Sequence, residues 1–154
     1  MKWITRERPK VDRVACPWLI ARFIDKQAEF LFVPGPEVRV RARELEAVPF
    51  DVDGVELTHV GEQCSFDAIL KKYALQDRAL DALAVIVRGA DTNHLELAPE
   101  CAGLLALSLG LSKCFAGDHE QLQHGFVMYD ALYAWLRGSR GEAPHGGSGS
   151  RPGS

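Results

Sequence analysis

KVDRVACPWLIARFID, residues Lys10 to Asp25, sets an aspartate, an arginine and a cysteine at the mouth of an apolar helix. Pro17 has no backbone N–H to donate, so it fits a first helical turn, where that N–H is an orphan anyway. This spacing puts Cys16 at or next to the N-cap. Ile20, Phe23 and Ile24, with Trp18 and Leu19 around the rest of the cylinder, make a helix that must pack on several sides. A helix N-terminus favours a thiolate or a bound oxyanion. Lys10, Arg13 and Arg22 are the cations expected to draw an anion there. The alternative for Cys16 is a buried small hydrophobe, the ordinary fate of a free cysteine.

Outward from this helix, Lys2–Thr5 and Phe30–Val33 read as short strands. Arg39, Arg41 and Arg43 recur at period two, which suggests the charged face of an edge strand or an anion-attracting surface. Val52-Asp53-Gly54-Val55 reads as a turn into a further strand ending near His59. Phe66, Ile69, Leu70 and Tyr73 have helical spacing behind Ser65 as an N-cap. Arg78–Val87 and Pro99–Leu109 are apolar nearly all round, with Gly110 a candidate C-terminal cap. A last helix starts at a capping Asp118, and its core stripe is Leu122, Phe126, Tyr129, Leu132, Tyr133 and Leu136. The expected fold is α+β, with small N-terminal strands and about four to five packed helices. Residues 1–137 form one domain in this reading, and the Gly/Ser-rich stretch 138–154 is a disordered tail.

A chain of 154 residues with 47% hydrophobic content suffices for a single core. Met1–Lys10 is charged and has no signal-like apolar segment, and Cys101–Leu111 is about half the length of roughly 20 residues that a bilayer span needs. A cytoplasmic protein with no membrane partner is expected. The four cysteines share no close-spaced pair, which excludes a zinc ribbon and a thioredoxin motif and predicts free thiols. The net charge is −3, and the tail's Arg140 and Arg151 against Glu142 leave the rest more acidic still. Such a balance is a poor footprint for nucleic acid.

His59 and Cys64 bracket the turn HVGEQC, and imidazole with thiolate suits zinc, iron or copper. The pair alone lacks the second ligand pair of a specific zinc motif, so a packed Cys64 and a carbonyl-bonded His59 are the competing reading. Asp91 ends a buried helix, where a carboxylate opposes the helix dipole, and a residue placed against local preference is a candidate for function. His119 and His124 point roughly 140° apart on a helix and cannot share one ion. His124 shares a face with Val127, Met128, Ala131 and Trp135, so it is expected to point inward. His94 ranks below Asp91. The expected site is therefore a zinc or iron ion held by His59 and His124 with Cys64, Asp91 or both.

Several segments resemble the chromate-resistance protein ChrB family, in its C-terminal domain. They are the opening helix run, THVGEQCSF at Thr58–Phe66, VRGADT at Val87–Thr92 with LAPECAGLLALSLGLS at Leu97–Ser112, and HGFVMYDALYAW at His124–Trp135. The resemblance implies a bacterial cytosolic domain tied to chromate resistance, and fuller members carry an N-terminal domain thought to bind DNA. Without that domain no direct nucleic-acid binding is expected. Chromate or another small oxyanion is the implied partner. One reading is an enzyme assisting chromate reduction through Cys16, Cys64 or a bound redox metal. The other is a non-catalytic chromate- or metal-sensing regulatory or interaction module. No dinucleotide fingerprint supports a nicotinamide or flavin.

Overall fold

The computed structural model describes residues 1–139 and shows an α+β fold. Three parallel strands, β1 (Lys2–Arg6), β2 (Glu29–Val33) and β3 (Val48–Pro49), lie in the order β2-β1-β3. Six α-helices accompany them: α1 (Asp12–Phe23), α2 (Val38–Leu45), α3 (Ser65–Lys72), α4 (Arg78–Asp91), α5 (Cys101–Cys114) and α6 (Asp118–Ala134). The expected tail lies, from residue 140 on, outside the described residues.

β1 is the central strand, and Trp3, Ile4 and Thr5 are buried in succession because both sheet faces are covered. Period two sends Ile4 to one face, against Val38, Ala42 and Ala47 of α2 and its C-terminal turn. Trp3 faces the other way, into the main core built from α1, α3, α4 and α6. α1 is that core's axis and is buried without a break from Val14 to Ile20. Gly125 of α6 lets it approach, since a Cβ there would sit 2.5 Å from Cγ1 of Val14.

Several local expectations are corrected. The helix caps expected at Ser65, Gly110 and Asp118 fall instead at Cys64, Phe115 and Gly117. Residues 38–45 are helical, not an edge strand: Val38 and Ala42 are buried at i and i+4, while Val40 is 48% exposed. Arg39, Arg41 and Arg43 lie exposed around that helix. The stretch 51–63 forms only isolated bridges, Phe50 to Leu57 and Val60 to Gln63, so His59 rides on a loop and not at a strand end. Most consequentially, α1 starts at Asp12, so Cys16 and Pro17 lie inside the helix and not at its mouth. No side chain of the preceding residue caps it. The carboxylate of Asp91, at the end of α4, accepts the Asp12 N–H instead, a cap from tertiary structure that local sequence does not reveal.

Candidate functional site

The start of α1, the start of α3 and the end of α4 meet at one point. Asp12, only 1% exposed, turns its carboxylate onto the N-terminus of α3 and accepts the N–H groups of Ser65 (2.8 Å) and Phe66 (3.2 Å). Those donors are orphans of the helix start, so Asp12 completes α3 as Asp91 completes α1. The Cys16 thiol, one turn along α1, donates to the same carboxylate at 3.1 Å. His59 enters from the loop, with Nε2 2.7 Å from Oδ2 of Asp91 and Nδ1 3.4 Å from Oδ1 of Asp51. Ligand atoms of Asp12, His59 and Asp91 all lie within 4.8 Å of one another.

Asp51 closes the cluster. Its carboxylate accepts from Oγ of Ser65 at 2.8 Å and pairs with Arg6 (3.2 Å) and Arg13 (3.4 Å). Arg13 also donates to the carbonyls of Arg6 (3.4 Å) and Glu7 (3.0 Å). Two strained residues flank the ligands: Asp51 has φ 51°, and Val11, before Asp12, has φ 30°, which is rare for a β-branched residue. Buried groups from α6 secure the turn before Asp12, as Gln121 donates to the Pro9 carbonyl (2.6 Å) and Tyr129 to that of Val11 (3.2 Å).

Two carboxyls of the cluster, Asp12 and Asp91, resist ionisation. Burial pushes the Asp12 carboxyl well above its usual range, and Asp51 and Asp91 add to the effect. Burial likewise raises Asp91, against the lowering contribution of its hydrogen bond to His59. Arg13 is lowered, first by burial and then by the nearby Arg6. Carboxyls that resist charging are ones that a nearby cation would relieve.

Of the expected metal ligands, His59 and Asp91 are brought together and the other two are not. His124 is exposed and lies stacked on the Phe115 ring at 4.0 Å between centroids. It misses the interior because Leu122, Gly125 and Tyr129 form the buried face of α6. Cys64 is buried at the N-cap of α3, where its N–H donates to Asp67 (3.0 Å) and its thiol lies 3.4 Å from the same oxygen. It stays outside the group whose ligand atoms converge.

The thiolate expectation for both cysteines is also reversed. Burial pushes Cys16 and Cys64 upward, and neighbouring Asp12 reinforces it in each case. Cys16 has no helix end to lower it, and Cys64, though at one, faces Asp12 and Asp67.

The expected anion-binding trio does not assemble either. Arg22 makes a two-pronged pair with Asp130 (3.0 and 2.9 Å) and lies over the Phe126 ring. Arg13 is engaged with Asp51, and Lys10 is exposed. His94 pairs with Glu96, and the His119 ring contacts Phe32.

In the sequence Asp12 stands at the helix mouth with no ligand role expected of it, and Asp51 does not stand out. Asp12 did leave a signal, as an acid one helical turn before Cys16 in an otherwise apolar run; Asp51 left none.

The sequence profile of the family described as ChrB, C-terminal domain, matches residues 3–136. Protein ChrB of Cupriavidus metallidurans is 34% identical over 140 residues, which is 90% of this chain and 42% of that protein. The chain thus spans less than half the length of that relative. No solved structure matches.

Proposed function

Because the chain belongs to the ChrB C-terminal domain family, we propose that it serves chromate resistance in the cytoplasm as a metal-binding module. In this reading Asp12, His59 and Asp91 hold one divalent first-row ion. The observation that carries it is the convergence of these three ligand atoms within 4.8 Å, at two carboxyls whose ionisation burial and neighbouring carboxylates oppose. One imidazole and two carboxylates suit zinc, iron(II) or manganese(II) and not a soft ion such as copper(I). His59 is 41% exposed, so the ion would keep a solvent-facing side on which chromate or another small oxyanion could become a further ligand.

The thiols favour sensing over reduction. A thiol reductant needs an accessible thiolate, whereas Cys16 and Cys64 are buried and shifted the other way. The ion instead sits where three helix ends meet, so its binding would tighten α1, α3 and α4 together. That is the behaviour of a module that reports occupancy to a partner.

Titration of chelator-stripped protein with zinc, iron(II) and manganese(II) against a fluorescent competitor tests this. One ion per chain is expected, lost in His59→Ala and Asp91→Asn and retained in His124→Ala and Cys64→Ser. Binding that survives His59→Ala and Asp91→Asn, or no binding at all, would sink the proposal.

A further inference from the structure

We propose that Asp51 is the positioning residue of this site: it holds Nδ1 of His59 so that Nε2 faces Asp12 and Asp91. The inference rests on the metal-binding reading above. Asp51 lies in the cluster without being one of the three converging ligands, and its partners explain why. Oδ2 already faces two guanidinium groups, Arg6 at 3.2 Å and Arg13 at 3.4 Å. Oδ1 accepts from the Ser65 hydroxyl at 2.8 Å and lies 3.4 Å from His59 Nδ1. A carboxylate so neutralised is a weak ligand for an ion, yet it remains an acceptor for a ring N–H.

The backbone of Asp51 is fixed as firmly as its side chain. Its N–H donates to Leu57 (2.8 Å) and its carbonyl accepts from Nε of Arg6 (3.0 Å). β1, α1 and α3 each contribute an anchor through Arg6, Arg13 and Ser65, and the residue is held at a positive φ of 51°. His59 has no comparable support. Its loop carries only isolated bridges, and its ring meets Asp51 on one nitrogen and Asp91 on the other. When Nε2 turns to an ion, the ring's orientation depends on Asp51, as metal-bound histidines depend on an outer carboxylate that receives their second N–H.

Two measurements test this. In zinc-loaded protein with ¹⁵N-labelled histidine, NMR is expected to show zinc on Nε2 and hydrogen on Nδ1 of His59; zinc on Nδ1 overturns the proposal. Asp51→Asn is expected to weaken zinc affinity about 10–100-fold while circular dichroism stays native. Unchanged affinity in folded Asp51→Asn also overturns it. Should that variant unfold, the nitrogen assignment in the wild type decides. Wild-type protein that binds no zinc removes the metal reading itself, and this inference with it, whereas tight binding without dependence on Asp51 removes this inference alone.

Discussion

Asp12 serves two roles that substitution can separate, since it caps α3 and contributes a ligand oxygen. Asp12→Ala leaves the buried N–H groups of Ser65 and Phe66 without an acceptor. At about 1–3 kcal/mol for each unsatisfied group, the loss is about 2–6 kcal/mol. Relief of the repulsion from Asp51 and Asp91 offsets part of this, so the lower half of that range is expected at neutral pH. Against a total stability of about 5–15 kcal/mol, the effect is easily read. Asp12→Asn keeps one carbonyl oxygen for one of the two donors and sheds the charge, so it should cost less than the alanine variant. Its expected cost is about 1–2 kcal/mol, set by the second donor now facing an amide NH₂. The assay is equilibrium urea unfolding followed by tryptophan fluorescence, with and without zinc. An ion at a hundred times its dissociation constant adds about 2.7 kcal/mol to the wild type, and to neither variant. An alanine variant no less stable than the asparagine variant would refute the capping argument. Zinc stabilisation preserved in Asp12→Asn would refute its role as a ligand.

Further outcomes follow from the same geometry. Asp12 and Asp91 are held above the unfolded value of about 3.9, whereas the lowered Asp25, Asp77 and Asp130 have made their full contribution by about pH 5. Above that pH the metal-free fold therefore loses stability as pH rises through the folded values of Asp12 and Asp91. Saturating zinc favours the charged carboxylates and should flatten that decline. Thermal melts across this window check the sign, and stability rising with pH in the metal-free protein would contradict it. Timed labelling with a chromogenic disulfide should modify the exposed Cys114 first, with buried Cys16, Cys64 and Cys101 reacting only as the fold opens. Gly89→Ala should cost about 1–3 kcal/mol in urea unfolding, because a Cβ there meets the His94 carbonyl at 2.8 Å and the Cys101 sulfur closer still. Arg22→Ala should leave zinc affinity unchanged, since its guanidinium is engaged with Asp130.

The fold class was legible because its signals are local. The strands at Lys2 and Phe30, the helical spacing after Ser65 and the stripe of Leu122, Tyr129 and Tyr133 all appear as expected. What failed was whatever tertiary contacts decide. The alternating valines and arginines at 38–43 fit a strand or a helix, and burial of Val38 with Ala42 selects the helix. Pro17 marked a plausible helix start, but the Asp91 carboxylate supports a start at Asp12. Of the site, Asp91 was readable because it opposes its own helix dipole, and His59 because it stands on a polar turn. His124 was misassigned because apolar neighbours defined its face, whereas α6 packs through Gly125, whose missing side chain admits Val14. Asp51 is an unremarkable acid in a loop until folding places Arg6, Arg13, Ser65 and His59 around it.

X-ray absorption at the zinc edge of protein loaded with one equivalent of zinc tests the central claim most directly, because it reports the ligand atoms themselves. The account predicts a first shell of oxygen and nitrogen only, at about 2.0–2.2 Å, with the outer-shell signature of a single imidazole. A sulfur shell at about 2.3 Å, or the signature of two imidazoles, would contradict it and return Cys64 or His124 to the site.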